Sequence, residues 1–180
     1  EKKTGIHLYS KRVFIMDDCT ELMPEYLGFV KGVVDASDLN LNVSREILQQ
    51  DRLVRNIRKN LVKKVFELLT KMEKETYNSF FEEFGAAIKS GIPMDHDNRE
   101  KISKLIRYKT TKSDGAFVSL DEYVANMKEG QEFIYYITGE DLVSLAGSPH
   151  LEVLKAKDYE VLLMSDPEDE WVVQSLPEFD

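Results

Sequence analysis

From Ile47 to Met72, apolar side chains recur at Ile47, Val54, Ile57, Leu61, Val65, Leu68 and Met72, at spacings of three, four and seven. That is the period of one helical face, and a strand with its period of two cannot satisfy it. With Ser44 as N-cap and Glu46 in the first turn, the pattern predicts one helix of about 28 residues, roughly 42 Å long. Such a stripe must be covered. The next periodic run supplies a candidate: Tyr77, Phe80, Phe81, Phe84 and Ile88 predict a second helix that stops at Gly91. The two are expected to fold back on each other as part of a small bundle.

The flanks read differently. LYSKRVFIM, residues 8–16, ends in an apolar run with strand character and is closed by Asp17 and Asp18. Thr20 then reads as an N-cap, and LMPEYLGFVKGVV as a helix with Leu22, Tyr26, Phe29 and Val33 on one side. Gly28 and Gly32, four apart, would leave a smooth strip on it. Beyond GIPMDHD, Asp97 and Glu100 have capping-box spacing before Ile102, Leu105 and Ile106, and KTTKSDGAF reads as a surface loop. Ser119 and Glu122 form another capping box, opening a helix with Leu120, Tyr123, Val124 and Met127 that ends before Gly130. FIYYIT and residues 159–164 read as buried strands by their β-branched and aromatic content. Ser148-Pro149 is an N-cap with proline at N1, and PEDEWVVQSL a last helix. Strand, helix, strand, helix implies parallel strands joined by a right-handed crossover. The predicted class is therefore mixed α/β in three parts. Residues 1–40 read as the edge of an α/β unit, 41–92 as a helical segment, and 93–180 as a small α/β/α unit with parallel strands.

Composition narrows the chemistry. The chain has 180 residues, 42 % hydrophobic and 32 % charged, a soluble globular balance. No apolar run approaches the roughly 20 residues a membrane helix needs. The net charge of −9 disfavours general nucleic-acid binding. The charge is polarised: residues 45–64 hold seven basic and two acidic residues, and residues 158–180 hold eight acidic and none basic. A single cysteine, Cys19, excludes an internal disulfide, and its acidic neighbours make it a poor nucleophile. His7, His96 and His150 lack metal-ligand spacing, so no metal site is expected. The start at EKKTGIHLYS, already close to a strand, suggests a piece of a longer protein.

No Gly-rich phosphate loop, GxSxG or HExxH is present, and no complete active site can be assembled. Arg45 stands out. It sits in the first turn of its helix, where the macrodipole disfavours a cation. An arginine beside free backbone N–H groups suits an anion such as a phosphate, and Gln49 lies one turn on along the same face. The alternative is a local ion pair with Asp38 or Glu46. The basic residues Arg52, Arg55, Arg58, Lys59, Lys63 and Lys64 read as a solvated face opposite the apolar stripe. Trp171, in DPEDEWVV, is either a core residue or an exposed aromatic with an acidic rim that marks a partner-binding patch.

The segment LYSKRVFIMDDCTELMPEYLGFVKGVVDASDLNLNVSREILQQ strongly resembles the middle segment of the ninety-kilodalton heat-shock chaperones, most closely the bacterial HtpG type. VRNIRKNLVKKV, FFEEFGAAIKSGI, KISKLIRY, SLDEYV, MKEGQEFIYYITGE, SPHLEVLKAK, EVLLMSDPEDEW and LPEFD agree in one colinear order across essentially the whole chain.

The resemblance implies a homodimeric, ATP-driven, cytoplasmic chaperone of three domains. ATP and Mg2+ would bind an N-terminal domain outside this chain, and dimerisation would use a C-terminal one. By motif, Arg45 within NVSRE matches the catalytic-loop arginine that reaches the ATP γ-phosphate, with Gln49 and Asn42 as its companions. Arg45 would then act like an arginine finger between domains, and the chain alone would hydrolyse nothing. Unfolded or partly folded clients and the seventy-kilodalton chaperone system are the implied partners, with client contact around Glu170 and Trp171. One position departs from the pattern: the family's DLPLN is DLNLN here, so Asn40 replaces a proline that would fix φ. The competing reading is a passive interaction module in which Arg45 is merely structural.

Overall fold

The computed structural model describes residues 5–39 and 44–179, which form two compact units, residues 1–72 and 73–180. Among the described residues there are two mixed sheets and eight α-helices, a mixed α/β architecture.

In the first unit the expected single strand is a hairpin of β1 (Gly5–Ser10) and β2 (Val13–Met16). Lys11 and Arg12 both take positive φ, 50° and 65°, as a two-residue type I′ turn requires. The turn is held by the Arg12 N–H, which donates to Asp35 at 2.9 Å. The helix expected over LMPEYLGFVKGVV is absent. Pro24 takes an extended ψ of 154°, a single 3-10 turn spans Glu25–Leu27, and the chain then enters β3 (Lys31–Asp35). Val30, Val33 and Val34 are β-branched and prefer a strand. β3 lies parallel to β1, giving the order β2-β1-β3. Gly5 permits that pairing, since a Cβ there would lie 2.5 Å from the Lys31 side chain.

The predicted 28-residue helix is two helices, α1 (Arg45–Gln50) and α2 (Arg52–Lys71). Asp51 makes the break. Its ψ of 126° is extended, and its carboxylate accepts from the N–H groups of Leu53 (2.7 Å) and Val54 (3.1 Å) as the α2 N-cap. The buried stripe also shifts from the one expected: Leu48, Val54, Val62, Phe66 and Leu69 are buried, while Ile47, Leu68 and Met72 are exposed. Of the basic face, Arg55 caps the Gln50 carbonyl at 2.8 Å and Arg58 donates to the Thr20 carbonyl at 3.1 Å. That face is therefore not purely solvated.

The second unit begins with α3 (Lys74–Met94), which runs past Gly91 and through Pro93. Pro93 falls in the last turn and removes the N–H that would donate to the Lys89 carbonyl, and the Arg99 guanidinium donates to the Ile92 carbonyl at 2.9 Å. The capping box expected at Asp97 and Glu100 is absent. Asp95 caps a 3-10 turn, His96–Asn98, that leads into α4 (Arg99–Ser103). β4 (Arg107–Thr110) takes the start of the segment expected as a loop, and β5 (Val118–Ser119) follows. The Ser119–Glu122 capping box is present and opens α5 (Leu120–Ala125). Then come β6 (Tyr135–Thr138), α6 (Leu142–Ala146), a 3-10 turn capped by Ser148 (Pro149–Leu151), α7 (Glu152–Ala156), β7 (Val161–Met164) and α8 (Asp169–Ser175). The sheet order is β5-β4-β7-β6. β6 and β7 are parallel as expected, but β4 is antiparallel to both of its neighbours. β7 is fully buried. β6 alternates between half-buried and exposed residues, so it is an edge strand rather than a buried one. Leu145, Leu151, Val161 and Leu163 form the core on one face of this sheet.

Candidate functional site

α1 is only six residues long and rests on one buried side chain, Leu48. Ser44 caps it, its hydroxyl accepting from the Ile47 N–H at 3.4 Å. Glu46 is fully exposed, and its carboxylate is held below the ordinary value by its own backbone N–H and by the Ser44 hydroxyl. The first turn's backbone donors are thus partly used by Ser44 and Glu46. The Arg45 guanidinium is exposed and makes no ion pair or hydrogen bond with any described residue. The anticipated local pairing with Asp38 or Glu46 is not formed. Gln49 is exposed one turn further on. An exposed cation over a capped, anchored turn is an arrangement that can receive an anion. Asn42 and Asn40 lie outside the described residues.

Trp171 is 62 % exposed on α8, and Glu170 beside it is exposed as well. Of the two readings open in the sequence, core burial is excluded. The inner side of α8 carries the packing instead, through Asp169 and Val172.

What holds α8 in place is a buried charge cluster that sequence reasoning missed. Lys89, on α3, is 4 % exposed and Asp169 is 1 % exposed. The Lys89 ammonium lies 2.9 Å from Asp169 and 2.8 Å from Asp166, and 4.5 Å above the Tyr108 ring. The Tyr108 hydroxyl donates to Asp169 at 2.8 Å, and the second Asp169 oxygen accepts from the Asp166 N–H at 3.1 Å. Burial pushes the Asp169 carboxyl up, and Lys89 partly offsets it. Burial, with the charge of Asp169, pushes the Tyr108 phenol well up. The signal was legible in principle: Lys89 falls four residues after Gly85 and eight after Phe81, a position of the apolar stripe held by a lysine.

Cys19 is buried, and burial together with Glu21 raises its thiol to about 11, which leaves it unreactive at neutral pH. Among the described residues no group of His, Cys, Asp and Glu could hold a metal ion, and no helix is long and apolar enough to cross a membrane.

A family model described as Hsp90 protein matches residues 1–180. Chaperone protein HtpG of Geobacter sulfurreducens is 53 % identical over 99 % of the chain, and that of Rhodococcus jostii 55 % identical over 99 %. The chain spans 28 % of the length of each. Among solved structures, the middle domain of a Plasmodium falciparum heat shock protein superposes with a TM-score of 0.85 at 35 % identity. That match covers 98 % of this chain and 68 % of that one. Fold, colinear sequence and family model agree, and the chain belongs to the Hsp90 family.

Proposed function

We propose that this chain is the middle-domain region of an ATP-driven chaperone that assists the folding of client proteins. In this reading Arg45 reaches the γ-phosphate of ATP held by an N-terminal domain outside the chain. The observation that carries it is an exposed arginine at the start of α1 with no counter-charge among the described residues. A structural arginine would be expected to have found an acid, and both Asp38 and Glu46 were near in sequence. The residues fit an anionic group: the guanidinium offers planar donors, and Gln49 adds a polar group one turn away. ATP would supply the scissile phosphoanhydride, and Mg2+ would be held with it by the N-terminal domain.

The chain's own part is electrostatic. Arg45 neutralises charge that grows on the phosphate oxygens, and the capped turn holds it in position. Gln49 orients, and so would Asn42. The general base would belong to the N-terminal domain, so the chain alone is inactive. Exposed Trp171, with Glu170, supplies client contact, an aromatic anchor in an acidic setting. In full length the protein works as a cytoplasmic homodimer alongside the seventy-kilodalton chaperone system.

The test is steady-state ATP hydrolysis by the full-length parent, wild type against Arg45→Ala. A fall of roughly 10-fold or more, about 1.4 kcal/mol of transition-state stabilisation, is expected, with a smaller fall for Gln49→Ala. Unchanged hydrolysis would favour the passive interaction module.

A further inference from the structure

The outer edge of the second sheet has the makings of a docking site. In the parallel β6–β7 ladder, bonds to one neighbour come from alternate residues. The Gly139 N–H donates to Met164 at 3.1 Å, and the Tyr135 N–H is met by the Tyr123 hydroxyl at 3.0 Å, which itself donates to the Glu160 carbonyl at 2.6 Å. Residues 135, 137 and 139 therefore face β7, and Tyr136 and Thr138 turn their N–H and C=O groups to the other side. Among the described residues no strand pairs there. β6 is short, but residues 135–138 contain no proline and no charge, and the ladder has no bulge.

Over the sheet face that adjoins this edge lies a groove of about 590 Å³, lined by Phe133 and Tyr136, by Leu162 and Met164 of β7, and by Val172 and Phe179. Phe133 is 64 % exposed and Tyr136 50 %. The surroundings are acidic. Glu132 and Glu178 line the groove, and exposed Glu129, Glu140 and Asp141 flank β6 in sequence. Lys104, at the Phe179 end, is engaged by Asp121 at 3.5 Å and by the Phe179 ring.

We propose that the free edge of β6 and its groove bind an extended segment of another polypeptide, apolar at alternate positions and basic at those between, by strand addition. Backbone groups of Tyr136 and Thr138 pair with the incoming strand, its apolar side chains enter the groove, and its lysines or arginines meet the acidic rim. The inference deepens the client reading above and rests on it in one respect, that the occupant is an unfolded stretch of a foreign chain.

The test uses the 180-residue chain and a fluorescein-labelled peptide Lys-Val-Lys-Ile-Lys-Val-Lys, followed by anisotropy and by amide hydrogen exchange. Binding should slow exchange at Tyr136 and Thr138. It should weaken by roughly 10-fold or more when the peptide's edge-facing amides are N-methylated, when glutamates replace its lysines, or in Tyr136→Lys. The N-methylated peptide leaves the protein untouched, so its effect cannot come from misfolding. Equal binding of the methylated peptide, or protection away from β6, overturns the proposal. Binding lost in Trp171→Ala with no protection at β6 overturns the groove while leaving the client role of Trp171 standing. A concentration-dependent dimer that shields β6 and resists the peptide makes the occupant a second copy and also overturns it.

Discussion

Two cations in this chain face opposite fates. Lys89 is buried in the second unit and satisfied on every side, by two carboxylates and the Tyr108 ring. Arg45 is exposed in the first unit, with no ion pair or hydrogen bond to a described residue. The difference separates two uses of charge. Removing Lys89 from water is costly, and the cost is offset only by a complete set of partners, so the cluster specifies how α3, β4 and α8 meet. Arg45 stays hydrated and gains no ion pair or hydrogen bond from the described residues; in the proposed reading its partner is a phosphate. The same contrast appears in the carboxylates. Asp169 is buried and pushed up. Asp158 is exposed and held down to about 2 by Lys112 at 2.8 Å and Lys128 at 2.6 Å.

The largest effect should come from breaking the buried cluster. Lys89→Ala leaves Asp169 charged or forces a proton onto it, in a site 1 % exposed. A loss of about 3–5 kcal/mol in urea unfolding is expected. Lys89→Met combined with Asp169→Asn should recover part of that, because no buried bare charge remains and Asp166, 44 % exposed, keeps its hydration. If Lys89→Ala costs no more than an ordinary surface change, the cluster is wetter than its burial implies.

A smaller effect, and one with a sign, lies in the acid titration. The folded value of Asp158 is below its ordinary 3.8, so the ion pairs stabilise the fold above that value. Their contribution is lost as pH falls from about 4 towards 2. Asp169 has the opposite sign: its folded value is raised, so its own protonation favours the folded state as pH falls. Thermal melts between pH 5 and about 2 should therefore show a shallower acid loss in Asp158→Asn than in wild type. A parallel curve would mean that Lys112 and Lys128 hold Asp158 in the crossing of loops without stabilising it.

What the sequence disclosed follows the range of the interaction. The Ser119–Glu122 capping box, the Ser148-Pro149 turn and the Ser44 cap were legible because each is settled within three residues. The hairpin at Lys11-Arg12 was not, since a type I′ turn usually announces itself with Asn-Gly, and here a distant Asp35 supports it. The break at Asp51 was hidden because apolar spacing runs through it, while the cap that makes it is a single side chain. β3 was misread as a helix because Leu22, Tyr26, Phe29 and Val33 recur at helical spacing behind a Thr20 cap, and only pairing with β1 decides the matter. The Lys89 cluster joins residues 77 apart in sequence. For the candidate site, spacing offered Arg45 and Gln49 as an anion-facing pair alongside a local ion pair of Arg45 with Asp38 or Glu46. The assignment to a phosphate came from the resemblance, and the exposure of Trp171 needed the fold.

The smallest effect should be the stability change in Arg45→Ala. The side chain is exposed, forms no hydrogen bond or ion pair with a described residue, and sits where the helix dipole opposes it. Its removal should shift the unfolding free energy by no more than about 0.5 kcal/mol, and the dipole argues for a slight gain. Alanine is also the better helix former, which pushes the same way. Urea titration of this chain reads that quantity without any nucleotide. The value of the measurement lies in pairing it with hydrolysis by the full-length parent. A residue that is neutral or mildly unfavourable for folding, yet costs roughly 10-fold in turnover, is held in place for the reaction alone. A clear loss of stability would instead place Arg45 with Lys89, as a charge that serves the fold, and the two units would no longer differ in kind.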